Sequence, residues 1–161
     1  PTENFILVTL HRRENLHWMG EWFTEIEKLA VSHPQYQFVL PIHPNPNVRK
    51  HRNLLNNVMV VEPMEHSHLI NTLRKSVLVI SDSGGLQEEG TFFNKKVIVC
   101  RKTTERPEGI DTGHLHMCET PQHLNDLFGK LIKNPYISTS CPYGDGYTSE
   151  KVLDILRNEE L

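Results

Sequence analysis

The sequence has no CxxC pair, no basic block and no apolar run long enough to cross a bilayer. Its three cysteines, Cys100, Cys118 and Cys141, are too widely spaced to suggest a zinc site or a disulfide framework. They read as reduced thiols of a cytoplasmic protein. Seventeen Lys and Arg against 20 Asp and Glu give a formal net charge of −3, which leaves no electrostatic footprint for nucleic acid or an anionic membrane as partner. No charged start followed by an apolar segment marks a secretory signal. The ten histidines never fall in HExxH spacing, so no metal is indicated, and neither GxGxxG nor a Walker loop is present. No cofactor is implied. What these absences leave is a soluble protein able to hold a small anion through a few local groups.

What is there is enough for one packed domain over residues 1–161, with 37% of the chain hydrophobic and 23% charged. Short β-rich apolar runs at 5–10, 36–42, 58–61, 77–81 and 96–100 alternate with stretches of helical period. This is the pattern of a parallel sheet covered by helices on both faces. In 19–32, the spacing of Trp22, Phe23, Ile26, Leu29 and Ala30 predicts one buried helical face. Further helices are expected over 47–56, 66–75, 83–93, 121–133 and 147–160. A start at Pro1, running almost directly into a strand, has the expected look of a domain cut from a longer protein.

In open α/β sheets, ligands lie beyond the carboxyl ends of the strands, where loops meet helix N-termini. After the first strand, "HRREN" places His11, Arg12, Arg13, Glu14 and Asn15 in succession. These are phosphate-binding groups, or a solvated charged loop neutralised by Glu14. After the second, the prolines of "PIHPNP" stiffen the backbone around His43. That histidine is either structural or part of a site with His11. The third strand leads into "EPMEHSHL", which looks like a helix cap and could also meet the edge of a base.

The fourth gives "ISDSGGLQEEG", Ile80 to Gly90. With Ser83 as cap, the N–H groups of Gly84, Gly85 and Leu86 would face a diphosphate at the positive end of the helix dipole, and glycine would let the phosphate approach. A plain Ser-capped helix accounts for the same residues. After the fifth strand, Arg101 to Gly109 reads alone as a polar surface loop.

Together, "HRREN", "IHPNP", "SDSGGLQEE", "TTERPEG" and "NPYISTSCPYGDGYTSEKVLDIL" resemble the UDP-N-acetylglucosamine 2-epimerases over essentially the whole chain. The resemblance implies a Rossmann-like α/β sheet forming the C-terminal half of a GT-B architecture, with the N-terminal domain absent. It implies that Ser83, Gly84 and Gly85 hold the UDP diphosphate, Glu89 takes the ribose hydroxyls, Arg106 adds a cation and the segment at Leu69 lines the uracil. Near His66 and Leu69 the family usually has aromatics, which this chain lacks. His11 matches the active-site histidine, as proton relay or base. "HRREN" matches the non-hydrolysing bacterial branch, in which Arg12 and His43 correspond to contacts with a second, activating UDP-GlcNAc. "GTFFNKK" departs from the family and suggests a related UDP-2-acetamido sugar as substrate.

The expected reaction interconverts UDP-GlcNAc and UDP-ManNAc by elimination and readdition of UDP, in a protein that is a homodimer when full length. The catalytic carboxylates would lie in the missing domain, so this chain alone is expected to bind UDP and turn nothing over. A GT-B glycosyltransferase C-terminal domain and a non-catalytic nucleotide-sugar-binding module are the alternatives.

Overall fold

Successive side chains of a strand point to opposite faces, and the apolar runs of this chain use both. In the computed structural model, which describes residues 4–159, Ile6 and Val8 of β1 (Phe5–Thr9) enter one core while Leu7 enters another. β2 (Gln37–Pro41), β3 (Met59–Val61), β4 (Leu78–Ser81), β5 (Val97–Val99) and β6 (Leu115–Met117) complete a parallel sheet in the order β3-β2-β1-β4-β5-β6. The expected Rossmann-like α/β fold is what the chain adopts. Register is fixed at the centre, with Ile6 opposite both Phe38 and Leu78, and Thr9 opposite Ser81.

Against one face lies α1 (Met19–Ser32), which buries Met19, Trp22, Phe23, Ile26, Leu29 and Ala30. α6 (Leu124–Leu131) joins it through Leu124, Phe128 and Leu131. Each large side chain buried this way contributes about 1.5–3 kcal/mol. The other face is covered by α3 (His66–Lys75) and α4 (Gly84–Phe92), whose Leu73 and Leu86 meet Val79, Val97 and Val99.

α4 lies so close to β5 that a Cβ on Gly90 would sit 2.7 Å from Val97 Cγ2. Gly90→Ala is therefore expected to cost about 1–3 kcal/mol of stability despite its better helix propensity. A urea midpoint equal to or above that of the unmutated protein would refute the close fit.

Several expectations need correction. The helix expected over 47–56 is only α2 (Pro46–Arg49) followed by a 3₁₀ turn at Arg52–Leu54. Pro46 begins α2 and the Asn45 side chain caps it, but the Asn-rich stretch that follows cannot sustain a helix. The segment 101–109, read as a loop, ends in the start of α5 (Pro107–Asp111), with Pro107 in the first turn. β6 went unread because it is three residues long and carries His116. The helix expected over 121–133 opens as a 3₁₀ turn at Pro121–His123. The closing helix is α7 (Thr148–Glu159), and the expected residue 160 lies outside the described residues. Among the described residues, no helix is long and apolar enough to cross a membrane.

The strand order reverses between β1 and β4, because β2 and β3 extend the sheet in one direction and β5 and β6 in the other. Loops leaving those two strands diverge, which opens a crevice at their carboxyl ends.

Candidate functional site

The end of β4 is anchored before it opens. Ser81 Oγ pairs with Thr9 Oγ1 at 2.7 Å and accepts from the Ser83 N–H at 3.0 Å, while the Asp82 N–H reaches Thr9 O at 3.2 Å. Asp82 is fully buried. Its carboxylate accepts from the backbone N–H of His11 (3.1 and 3.2 Å), the backbone N–H of Arg12 (2.9 Å) and Asn15 Nδ2 (3.0 Å). The "HRREN" loop is thereby gathered around one carboxylate. Arg12 turns back too, its Nε donating to Asp82 O at 3.2 Å. The His11 ring stacks on His43, with centroids 5.2 Å apart and planes 11° from parallel. Burial and then the neighbouring His11 push the His43 imidazole below its ordinary pKa, with Asp82 opposing them.

Ser83 caps α4, its Oγ accepting from the Leu86 N–H at 3.5 Å. The Leu86 N–H is therefore occupied, which corrects the expectation that it is free. Gly84 and Gly85 remain at the helix start, and they differ. A Cβ on Gly84 would meet the Arg106 guanidinium at 2.8 Å, whereas one on Gly85 would meet nothing within 4 Å. Gly85 is the glycine that faces open space. Further along the helix, Glu89 lies 3.3 Å from His66 Nε2, and its burial raises the carboxyl above its ordinary pKa.

A cleft of about 300 Å³ brings His11, His43, Leu69, Ser83, Gly85 and Glu89 together. Three nominated residues do not line it. Arg12 is drawn back to Asp82, Gly84 is buried, and Arg106 lies behind Gly84, donating to Glu88 at 2.6 Å and Glu105 at 3.4 Å. Glu88 is thus the partner of Arg106. On the opposite wall stand Met64, His66 and Leu69, with no aromatic carbocycle.

Other residues around the cleft were not nominated from the sequence. Arg101 is buried and holds both Glu14 (2.7 Å) and Glu105 (3.0 Å), so it ties the "HRREN" loop to "TERPEG". Through these bonds Arg101 holds the Glu105 carboxyl down to about 2. The Tyr143 hydroxyl accepts from the Gly109 N–H at 2.8 Å and donates to Arg106 O at 2.9 Å. Phe92 and Phe93 of "GTFFNKK" meet edge to face and line a second cleft, of about 350 Å³, which shares His66 and Glu89 with the first. Among the described residues, no group of three or more His, Cys, Asp or Glu side chains is placed to hold a metal.

A parallel six-stranded sheet with its crevice at the reversal of strand order, and a capped, glycine-led helix on its rim, defines a Rossmann-like α/β domain. A family model described as UDP-N-acetylglucosamine 2-epimerase matches residues 1–157, and the chain belongs to that family. The UDP-N-acetylglucosamine 2-epimerase of Escherichia coli K12 is 36% identical over 175 residues, covering 100% of this chain and 46% of the relative. A UDP-GlcNAc 2-epimerase from Neisseria meningitidis, solved bound to UDP-GlcNAc, superposes with a TM-score of 0.88 at 36% identity, over 97% of this chain and 45% of that one. The S. aureus MnaA–UDP co-structure gives 0.89 at 34% identity, over 98% and 45%. The chain spans about half the length of the relatives it matches.

Proposed function

We propose that this chain is the nucleotide-binding, C-terminal half of a non-hydrolysing UDP-N-acetylglucosamine 2-epimerase, whose catalytic carboxylates belong to an N-terminal domain. The observation that carries the reading is the single cleft joining His11, Ser83, Gly85 and Glu89 at the strand reversal. The diphosphate sits at Ser83 and Gly85 on the positive end of α4, where the guanidinium of Arg106 behind Gly84 adds charge. Glu89 accepts from the ribose hydroxyls once they displace His66, and Leu69 lies against the base. His11 reaches the glycosidic phosphate.

The reaction starts with removal of the proton at carbon 2 by a base of the other domain. The carbon 2–hydrogen electron pair forms the new double bond as the carbon 1–oxygen bond breaks, and the electrons of that bond leave with UDP. His11, as the imidazolium, donates the proton carried on Nε2 to the departing phosphate oxygen. UDP then returns to the 2-acetamidoglucal as carbon 2 is protonated on the opposite face. Arg12 and His43 contact a second UDP-GlcNAc.

The test is to supply the full-length protein with UDP-GlcNAc in deuterated water and follow carbon 2 by NMR. Deuterium at that carbon and accumulating UDP-ManNAc are expected. Free N-acetylmannosamine in place of UDP-ManNAc would move the protein to the hydrolysing branch. No exchange with any UDP-2-acetamido sugar would sink the epimerase reading and leave a transferase or binding module.

A further inference from the structure

We propose that Asp82 is a positioning residue for His11: its buried carboxylate holds the ring with Nδ1 turned toward the sheet and carrying the proton, so that Nε2 is presented to the ligand. The inference deepens the functional reading above by assigning how its histidine is oriented.

Asp82 is 0% exposed and, among the described residues, the polar contacts of its carboxylate come from the segment after β1, 67–71 residues earlier in the chain. The hydrogen-bond sense is fixed independently at Asn15. An indole N–H can only donate, and Trp22 Nε1 donates to Asn15 Oδ1 at 3.2 Å, so the amide must turn its NH₂ toward Asp82. That NH₂ also donates to Cys100 O at 2.8 Å. With the His11 and Arg12 N–H groups converging as well, the carboxylate is surrounded by donors and acts as an acceptor.

Its Oδ1 has a backbone donor at 3.2 Å, and His11 Nδ1 stands 3.6 Å from the same oxygen. A ring nitrogen facing a carboxylate is the one that carries the proton in the neutral imidazole, which leaves the lone pair on the other. The distance is just beyond a hydrogen bond and short enough for the carboxylate charge to favour the proton on Nδ1. The stacked His43 limits how the ring can turn on its open face. His43 has its own orientation set, since its Nδ1 accepts from the Asn45 N–H at 3.1 Å. His11 is thus restrained at its backbone, along its Nδ1 edge and on one face.

A purely structural Asp82 would hold the loop and leave the ring tautomer indifferent to its charge. The two roles separate by ¹⁵N NMR of the full-length protein labelled at histidine, with the His11 signal assigned by its loss in His11→Gln. With the imidazole neutral, the unmutated protein is expected to show protonated Nδ1 and unprotonated Nε2, with or without added UDP. A proton on Nε2 would overturn it, and this measurement needs no variant to fold.

Asp82→Asn retains an acceptor oxygen for the loop and loses the charge. It is expected to shift the His11 tautomer toward a protonated Nε2 and to lower kcat by about 100-fold or more, with KM for UDP-GlcNAc changed less than about threefold. An unchanged tautomer in a folded Asp82→Asn protein, or a loss confined to KM, would reject the positioning role. Because the tautomer is read without turnover, a failure of epimerisation would count against the epimerase reading and leave this one standing or falling on the spectrum.

Discussion

Asp82→Ala is expected to lower the stability of the protein by about 3–5 kcal/mol, more than any other single change at the site. The carboxylate is wholly buried and holds the His11 and Arg12 N–H groups and the Asn15 amide. Alanine would strand the buried Asn15 amide and take the acceptor from the part-buried His11 and Arg12 N–H groups, at about 1–3 kcal/mol for a donor that water cannot reach. It would also release the loop after β1 from the end of β4, at the centre of the sheet. Urea unfolding followed by far-UV circular dichroism measures the loss. A shift worth less than about 1 kcal/mol would mean that the loop finds other acceptors and that Asp82 does not organise this end of the sheet.

The second large effect is on binding. Glu89→Ala is expected to weaken UDP affinity by about 10- to 100-fold, the usual worth of hydrogen bonds to a charged acceptor. Glu89→Gln, which keeps one acceptor oxygen, should retain part of that affinity. Calorimetric titration of the full-length protein with UDP and with 2′,3′-dideoxy-UDP separates the ribose contact from general damage, because the dideoxy ligand should bind the variant and the unmutated protein alike. Burial raises the Glu89 carboxyl above 4.5, with His66 opposing. As pH falls, the carboxylate is neutralised earlier than an ordinary glutamate, so UDP affinity should decline from a higher pH and Glu89→Gln should abolish that decline. Equal UDP affinity in Glu89→Ala would place the ribose elsewhere.

The elements that could be read from the sequence were those whose signal is local. β1, β2, β4 and β5 each carry an apolar run, and α1 shows its buried face in the spacing of Trp22, Phe23, Ile26 and Leu29. β6 has Leu115 and Met117 on either side of a histidine, and only pairing with β5 makes it a strand. The cleft follows the same division. His11, His43 and Ser83 were nominated because each follows a strand, and topology then brought them together.

Asp82 stood inside the quoted "SDSGG" and was passed over. Its partners lie 67–71 positions away, and nothing within a few residues distinguishes a buried carboxylate from a turn-forming one. Arg101 escaped for a similar reason, since its burial arises only when Glu14 and Glu105 converge on it. His66 looked like part of a helix cap, and its pairing with Glu89 depends on how α3 lies against α4.

Tyr143 lies beyond α6, in a stretch that has no strand or helix of its own. Its hydroxyl nevertheless bridges Arg106 O and the Gly109 N–H, and that hydroxyl oxygen, with Leu115, fills the space beside Gly109 that a side chain there would need. The last packed helix is therefore a misleading place to shorten this polypeptide. A version ending after α6 would keep both hydrophobic cores and lose the clasp on the segment that carries Arg106, whereas one that runs through Tyr143 retains it. Swapping the C-terminal tail with that of a relative would transplant one fastening of the Arg106 wall, so chimaeras joined between α6 and Tyr143 carry mixed instructions for that side of the domain.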